Sequence, residues 1–330
     1  DLNIPEPDIN LEIGSGSHAE QVGKTMMEFE KVLQKIRPDW VVVVGDVNAT
    51  LACSVTTKKE KILLCHIEAG LRSGDLSMPE EINRLVTDRL ADLLLTPDRI
   101  SSENLRKEGI AESRIRFTGN IMIDTMDAGI QKAQQLDPVD IVKKNMHELS
   151  RNRFGAIDRL PEYSVITLHR PSNVDEVKPL TEIIEFITTE ASASTLPLWS
   201  LHPRTIRQLQ STGLIDRITG SGRVIMLNPL DYFSMLRLNM NARIMITDSG
   251  GLQEECTVLG TPCLTLRFNT ERPVTLREHG GVSVLVGNRS ELLKKEFAEL
   301  LRMPRIPVRP ELWDGHAAER CLDAIITHES

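Results

Sequence analysis

The sequence predicts an α/β protein made of two Rossmann-like, doubly wound domains, and three observations point to that class. Short β-rich runs alternate with helical stretches from residue 40 onward, the pattern of βα units on a parallel sheet. The strand candidates are continuous apolar runs, as strands covered on both faces must be. At 330 residues the chain is too long for one ordinary core and suits two domains of about 150.

The elements follow in order. Trp40–Val44, Ile62–Ile67, Leu93–Leu95 and Ile115–Phe117 read as strands of a first domain over residues 1–150. Ser164–Leu168, Leu198–Leu201, Val224–Leu227, Arg243–Thr247, Cys263–Leu266 and Val282–Val286 read as strands of a second, over 151–310. Between them the polar stretch 137–161 breaks the rhythm, helical over Val139–Leu149 and aperiodic over Arg151–Leu160; the hinge is expected there. Pro304, Pro307 and Pro310 end a helix and order an extended link. The last segment, 311–330, is helical from Trp313 and is expected to cross back to the first domain. Residues 1–17 read as the middle of a fold, so about 40–60 residues of a first βα unit are expected ahead of Asp1.

Composition excludes several partner classes. Lys plus Arg number 39 against 47 for Asp plus Glu, a net charge of −8 with no basic block, so neither nucleic acid nor a membrane surface is the expected partner. The longest apolar runs are strand-sized, far below the roughly 20 residues of a span, and no leader pattern opens the chain. Five cysteines, an odd number without a CxxC pair, read as small buried hydrophobes of a reducing cytoplasm.

Ligands of open α/β sheets sit at the carboxyl ends of the strands, and the residues there carry the chemistry. Asp46 follows the first strand; its plain alternative is an N-cap. Glu68 follows the second in HIEAGLRSGD (66–75), where pairing with Arg72 is the plain alternative. Glu80 lies in MPEEINR (78–84), with capping-box spacing from Ser77. Together these three carboxylates are expected on one rim, where mutual influence separates acid from base roles. In the second half His169-Arg170 and His202-Pro203-Arg204 stand at strand tips and suit phosphate oxygens. The segment TDSGGLQEE (247–255) runs from strand through Ser249-Gly250-Gly251 into a helix, a phosphate cradle whose plain alternative is a Ser249 N-cap. Glu255, one turn in, suits a ribose diol, and Arg272 in NTERP (269–273) offers another cation. No GxGxxG, GxxxxGK[ST] or HExxH spacing occurs, so no dinucleotide cofactor and no metal is expected.

Taken in order, GD (45–46), HIEAGLRSGD, MPEEINR, HRPSNVD (169–175), HPRT (202–205), TDSGGLQEE and NTERP resemble the non-hydrolysing UDP-N-acetylglucosamine 2-epimerases across essentially the whole chain. The resemblance implies the glycosyltransferase-B arrangement, with a UDP-sugar between two domains and a homodimer formed through helices of the first. It implies elimination of UDP to a glycal and re-addition with inversion at C2. Asp46, Glu68 and Glu80 then match acid/base carboxylates, and His169 the residue that helps UDP leave. Ser249, Gly250 and Gly251 match the diphosphate cradle, Glu255 the ribose ligand, Arg272 a sugar or phosphate ligand, and Arg170 and His202 UDP ligands. A hydrolysing 2-epimerase and a glycosyltransferase of the same fold are the alternatives. The Pro-Ser-Asn-Val-Asp after His169-Arg170, the HPRT string and Val274 after Glu-Arg-Pro resemble a branch that handles UDP-2,3-diacetamido uronates.

Overall fold

All ten expected strands form in the computed structural model, which describes residues 4–328. β1 (Trp40–Val44), β2 (Leu63–Ile67), β3 (Leu93–Thr96) and β4 (Ile115–Phe117) make one sheet in that order. β5 (Tyr163–Thr167), β6 (Leu196–Ser200), β7 (Ile225–Leu227), β8 (Ile244–Thr247), β9 (Cys263–Thr265) and β10 (Ser283–Leu285) make the second, in the order β10-β9-β8-β5-β6-β7. Every ladder between these strands is parallel. Parallel neighbours need crossover connections, and the helices supply them.

The described chain divides into two compact units, residues 4–125 with 310–328 and residues Met126–Arg309. In the first, helices α1 (His18–Ile36), α2 (Asn48–Lys59), α3 (Pro79–Leu90) and α4 (Arg99–Lys107) accompany the sheet. Alternate strand residues feed two cores: Val41, Val43, Leu64 and Leu94 on one face, Cys65, Ile67, Leu93 and Leu95 on the other. Among the described strands β1 lies at the end of its sheet, and its Val42 and Val44 are 43% and 48% exposed. The carboxy-terminal helix, Ala317–Ile326, lays Cys321 on the second face, and buried Trp313 donates its indole N–H to the Pro97 carbonyl at 2.9 Å.

The second unit follows the same logic with a larger core, Ile166, Trp199, Met226 and Ile246 on one face and Val165, Leu198, Ile225 and Met245 on the other. The chain winds β5 to β6 to β7 toward one edge, then returns to β8 beside β5 and winds outward the other way. The direction therefore reverses between β5 and β8, where a crevice opens at the carboxyl ends of such sheets.

The stretch expected as a hinge, 137–161, instead belongs to this second unit. Helices Pro138–Asn145 and Glu148–Phe154 flank a bridge from Met146 to Leu227, and the His147 N–H bonds the Met226 carbonyl at 2.9 Å. Its polar composition hid the buried face of Ile141, Val142 and Met146, which joins the core. All five cysteines are free, and no described helix is long and apolar enough to cross a membrane.

Candidate active site

Asp46 follows β1 and is held by α3. Nε and Nη2 of Arg84 both donate to its Oδ2, at 3.0 and 2.7 Å, while Oδ1 accepts nothing from the described residues. Asn83 Nδ2 donates to the Asp46 carbonyl at 2.8 Å. The capping alternative falls away, because the N-cap of α2 is Val47 and makes no side-chain bond. Glu80, at the start of α3, is exposed and makes no hydrogen bond or ion pair to a described residue. The capping box read between Ser77 and Glu80 does not form: Met78 is the N-cap, and the Ser77 hydroxyl donates to Asp75 Oδ1 at 2.6 Å. Pro79 at N1 moves the helix start one residue beyond Ser77. Asp46 and Glu80 line one cavity of about 520 Å³ with Asn48, Asn83, His18 and apolar side chains such as Leu11 and Ile13.

Glu68 is half-buried and is not among the residues lining that cavity. Its backbone is left-handed, φ 67°, which costs an ordinary side chain about 1 kcal/mol or more. Such strain, at the tip of β2, marks a position whose surroundings over-determine it. Glu81, next to Glu80 but buried, accepts the Ser73 and Gly74 N–H groups at 3.0 and 2.9 Å and pairs with Arg84. Burial opposes its ionisation, but those donors and the Arg84 charge hold the carboxyl below its usual range. A chain of contacts thus runs from the 73–74 loop through Glu81 and Arg84 to Asp46.

In the second unit the site is built at the reversal between β5 and β8. Asp248, fully buried after β8, lies 2.9 Å from His169 Nδ1 and also accepts the His169 and Arg170 N–H groups and Asn173 Nδ2. Burial opposes its charge, yet the bonds from His169, Arg170 and Asn173 keep its pKa low. Its carboxylate fixes the ring of His169, whose Nε2 bonds no described residue. Arg170 Nε donates to the Asp248 carbonyl at 3.0 Å. His202 caps the helix Pro203–Ser211, its Nδ1 accepting the Arg204 N–H at 3.1 Å, and its ring lies 5.4 Å from that of His169. Desolvation and then the neighbouring His169 lower its pKa, which favours the neutral ring. Arg204 closes on Asp175 at 2.8 and 2.5 Å, joining the two loops.

Ser249 occupies the N-cap of helix Gly250–Leu259 but makes no capping bond with its hydroxyl, and no acid stands in the first turn. The turn therefore presents unopposed N–H groups and the positive end of the helix dipole. Gly250 is tightly enclosed: a Cβ there would lie 2.7 Å from both Arg272 Nη1 and Glu271 Oε1. Arg272 is paired with Glu254 at 2.8 Å and with Glu271. It covers the glycine turn while held by two buried carboxylates. Glu255 keeps Oε2 enclosed with no hydrogen-bond partner among the described residues, and burial, against the opposing Asn239 side chain, pushes its pKa up to about 7.

Asp248, Asn173, Arg84 and Glu81 were missed as functional residues by sequence reading. Their signals were present: Asp248 and Asn173 stand inside quoted motifs, and Arg84 lies three residues past Glu81 on one helix face. Among the described residues no group of three or more His, Cys, Asp or Glu could hold a metal.

The family model of UDP-N-acetylglucosamine 2-epimerase matches residues 1–326. The chain belongs to the UDP-N-acetylglucosamine 2-epimerase family. The UDP-N-acetylglucosamine 2-epimerase of Methanocaldococcus jannaschii is 41% identical over 322 residues, 97% of this chain and 84% of that one. A solved structure of the enzyme from that organism, in complex with UDP-GlcNAc and UDP, matches at a TM-score of 0.85 and 39% identity, over 98% of this chain and 85% of the other. The UDP-2,3-diacetamido-2,3-dideoxy-D-glucuronate 2-epimerase of Pseudomonas aeruginosa is 35% identical over 88% of this chain and 76% of its own. Like its relatives, this 2-epimerase family member has the glycosyltransferase-B type of fold, with two parallel sheets.

Proposed function

We propose that the chain interconverts UDP-N-acetylglucosamine and UDP-N-acetylmannosamine without hydrolysis, by eliminating UDP and adding it back with inversion at C2. The C2 proton beside an acetamido group is scarcely acidic. It becomes removable as the C1–O bond breaks and C1 turns electron-poor. A carboxylate takes the proton, the C–H pair becomes the C1=C2 bond, and the C1–O pair leaves with UDP. In the return step a UDP oxygen bonds C1, and a carboxylic acid delivers a proton to the other face of C2. Electrons are conserved over the cycle, so the reaction is redox-neutral.

The observation that carries this reading is the pair Asp46 and Glu80 on one cavity, with Asp46 anchored through a single oxygen. We assign Asp46, Glu68 and Glu80 to proton transfer at C2 and His169 to the departing diphosphate. Ser249, Gly250 and Gly251 cradle that diphosphate at a helix N-terminus, and Arg170 and His202 assist. Glu255 takes the ribose hydroxyls. Arg272, which covers the glycine turn, is assigned to the sugar or a phosphate. A homodimer through helices of the 4–125 unit is supported by the exposed pair Ile82 and Val86 on α3, and a cytoplasmic setting by five free cysteines.

Incubation with UDP-GlcNAc in D₂O, followed by NMR at C1 and C2, tests the proposal. Deuterium at C2 and a manno product with UDP-sugar conserved are expected. No exchange sinks it, and free sugar accumulating in step with UDP points to hydrolysis instead. Running UDP-2,3-diacetamido-glucuronate in parallel decides the sugar, and faster turnover of the uronate would replace N-acetylglucosamine as substrate.

A further inference from the structure

Beneath the two carboxylate loops of the 4–125 unit lies a buried ionic cluster that the chemistry above does not use. His66, on β2 two residues before Glu68, is fully enclosed, and so is Asp88 on α3. Nδ1 of His66 lies 2.6 Å from Asp88 Oδ1, and Nε2 lies 2.9 Å from the Gly45 carbonyl oxygen. A carbonyl only accepts, so Nε2 must carry a proton. Asp88 Oδ2 also accepts, from the Gly70 N–H at 3.0 Å and from Arg72 Nη1 at 2.7 Å. A carboxylate surrounded by donors is ionised, so Nδ1 must carry a proton too. Arg72 closes in turn on Glu108 with two bonds, at 2.7 and 2.8 Å, which leaves the cluster electrically balanced.

The groups facing the ring are Asp88 from α3, the Gly45 carbonyl from the turn after β1, and Glu68 from the tip of β2. Burial by itself would lower the pKa of His66. The charge and hydrogen bond of Asp88, the Gly45 carbonyl and Glu68 outweigh it and raise the pKa. Asp88 mirrors this, its burial outweighed by His66 and Arg72. A buried ion cluster seldom adds stability over an apolar packing of equal volume. What this one does is geometric: a single ring ties the backbone before Asp46 to the helix whose Asp88 clamps the loop after Glu68.

We propose that His66 is a positioning residue held as an imidazolium, fixing the Asp46 turn through Gly45 and the Glu68 turn through Asp88 and Gly70. The proposal deepens the epimerase reading and rests on it for the roles of Asp46 and Glu68. Two conservative variants divide the ring's functions: His66→Gln keeps a donor toward Gly45, and His66→Asn keeps one toward Asp88, both without charge. Each is expected to lower kcat by about 10²-fold with KM little changed, because the carboxylates are misplaced while UDP binding is intact. In intact wild-type protein labelled with ¹⁵N-histidine, both His66 nitrogens should remain protonated between about pH 6 and 8, the range in which a free imidazole titrates. A His66 ring that titrates or is neutral there overturns the proposal, and so do folded variants with wild-type kcat. Should one variant lose its circular dichroism spectrum, the other carries the kinetic test. Should both unfold, solvent exchange of the wild-type Hε2 proton decides, and exchange too fast to observe overturns the clamp. Failure of the epimerase reading is seen separately, as absent C2 exchange in wild type beside an unchanged imidazolium signal.

Discussion

Two N–H groups of Arg84 share one oxygen of Asp46 and leave the other clear, so the carboxylate is oriented without being consumed. Asp46→Asn should keep that anchor and remove one of the three carboxylates proposed for proton transfer. Interconversion and deuterium entry at C2 are expected to fall by about 10²–10⁴-fold with UDP binding retained. Normal turnover in the variant would remove Asp46 from the mechanism. Glu255 supplies a second residue-scale test. Its pKa is raised from 4.5 to about 7, so its contribution to stability is present below pH 4.5 and is lost as pH rises through 7. Glu255→Gln stays neutral throughout and should gain stability relative to wild type across that window. Melting temperatures of both proteins from pH 4 to 8 read this directly, and a constant difference would contradict it. At this scale the sequence was informative about which residue types stand at strand tips. It was silent on which are anchored and which are free, because Glu80 and Glu81 are the same residue one position apart. Only the helix phase turns one outward and the other onto Arg84.

The element that positions Glu68 is a turn with little room for change. Gly70 has φ 82°, and a Cβ there would lie 2.3 Å from the Ser101 carbonyl oxygen at the start of α4. Gly70→Ala is expected to destabilise by about 2–4 kcal/mol, seen as a lower denaturant midpoint at unchanged m-value. Wild-type stability in that variant would mean the turn has other ways to close. Gly250→Ala belongs to the same class with a different consequence. Its Cβ meets Arg272 and Glu271 side chains rather than backbone, so UDP affinity, measured by calorimetry, should drop more than stability does. Strand positions were legible because continuous apolar runs bounded by turn residues leave few alternatives. The α3 start was not, since Ser-Met-Pro-Glu satisfies a capping box as well as a proline start, and Asp75 takes the Ser77 hydroxyl.

At the scale of the molecule, residues 310–328 complete the first unit from the far end of the chain. Trp313 is 1% exposed and bonded to Pro97, so Trp313→Ala should cost about 3–5 kcal/mol of that unit's stability. Scanning calorimetry should show its transition moving down, and a shift confined to the Met126–Arg309 unit would contradict the assignment. The motif order was enough to identify the family, because strings such as HIEAGLRSGD and TDSGGLQEE are specific in combination and in order, and the family model matches residues 1–326. Local sequence also determined every strand, since apolar periodicity is a property of neighbours along the chain. Tertiary structure alone decided that 137–161 packs on β7. It alone brought Asp248 to His169 and Asp88 to His66. Those facts join residues 79 and 22 positions apart, and such pairings follow from strand order and helix phase, which no local pattern encodes.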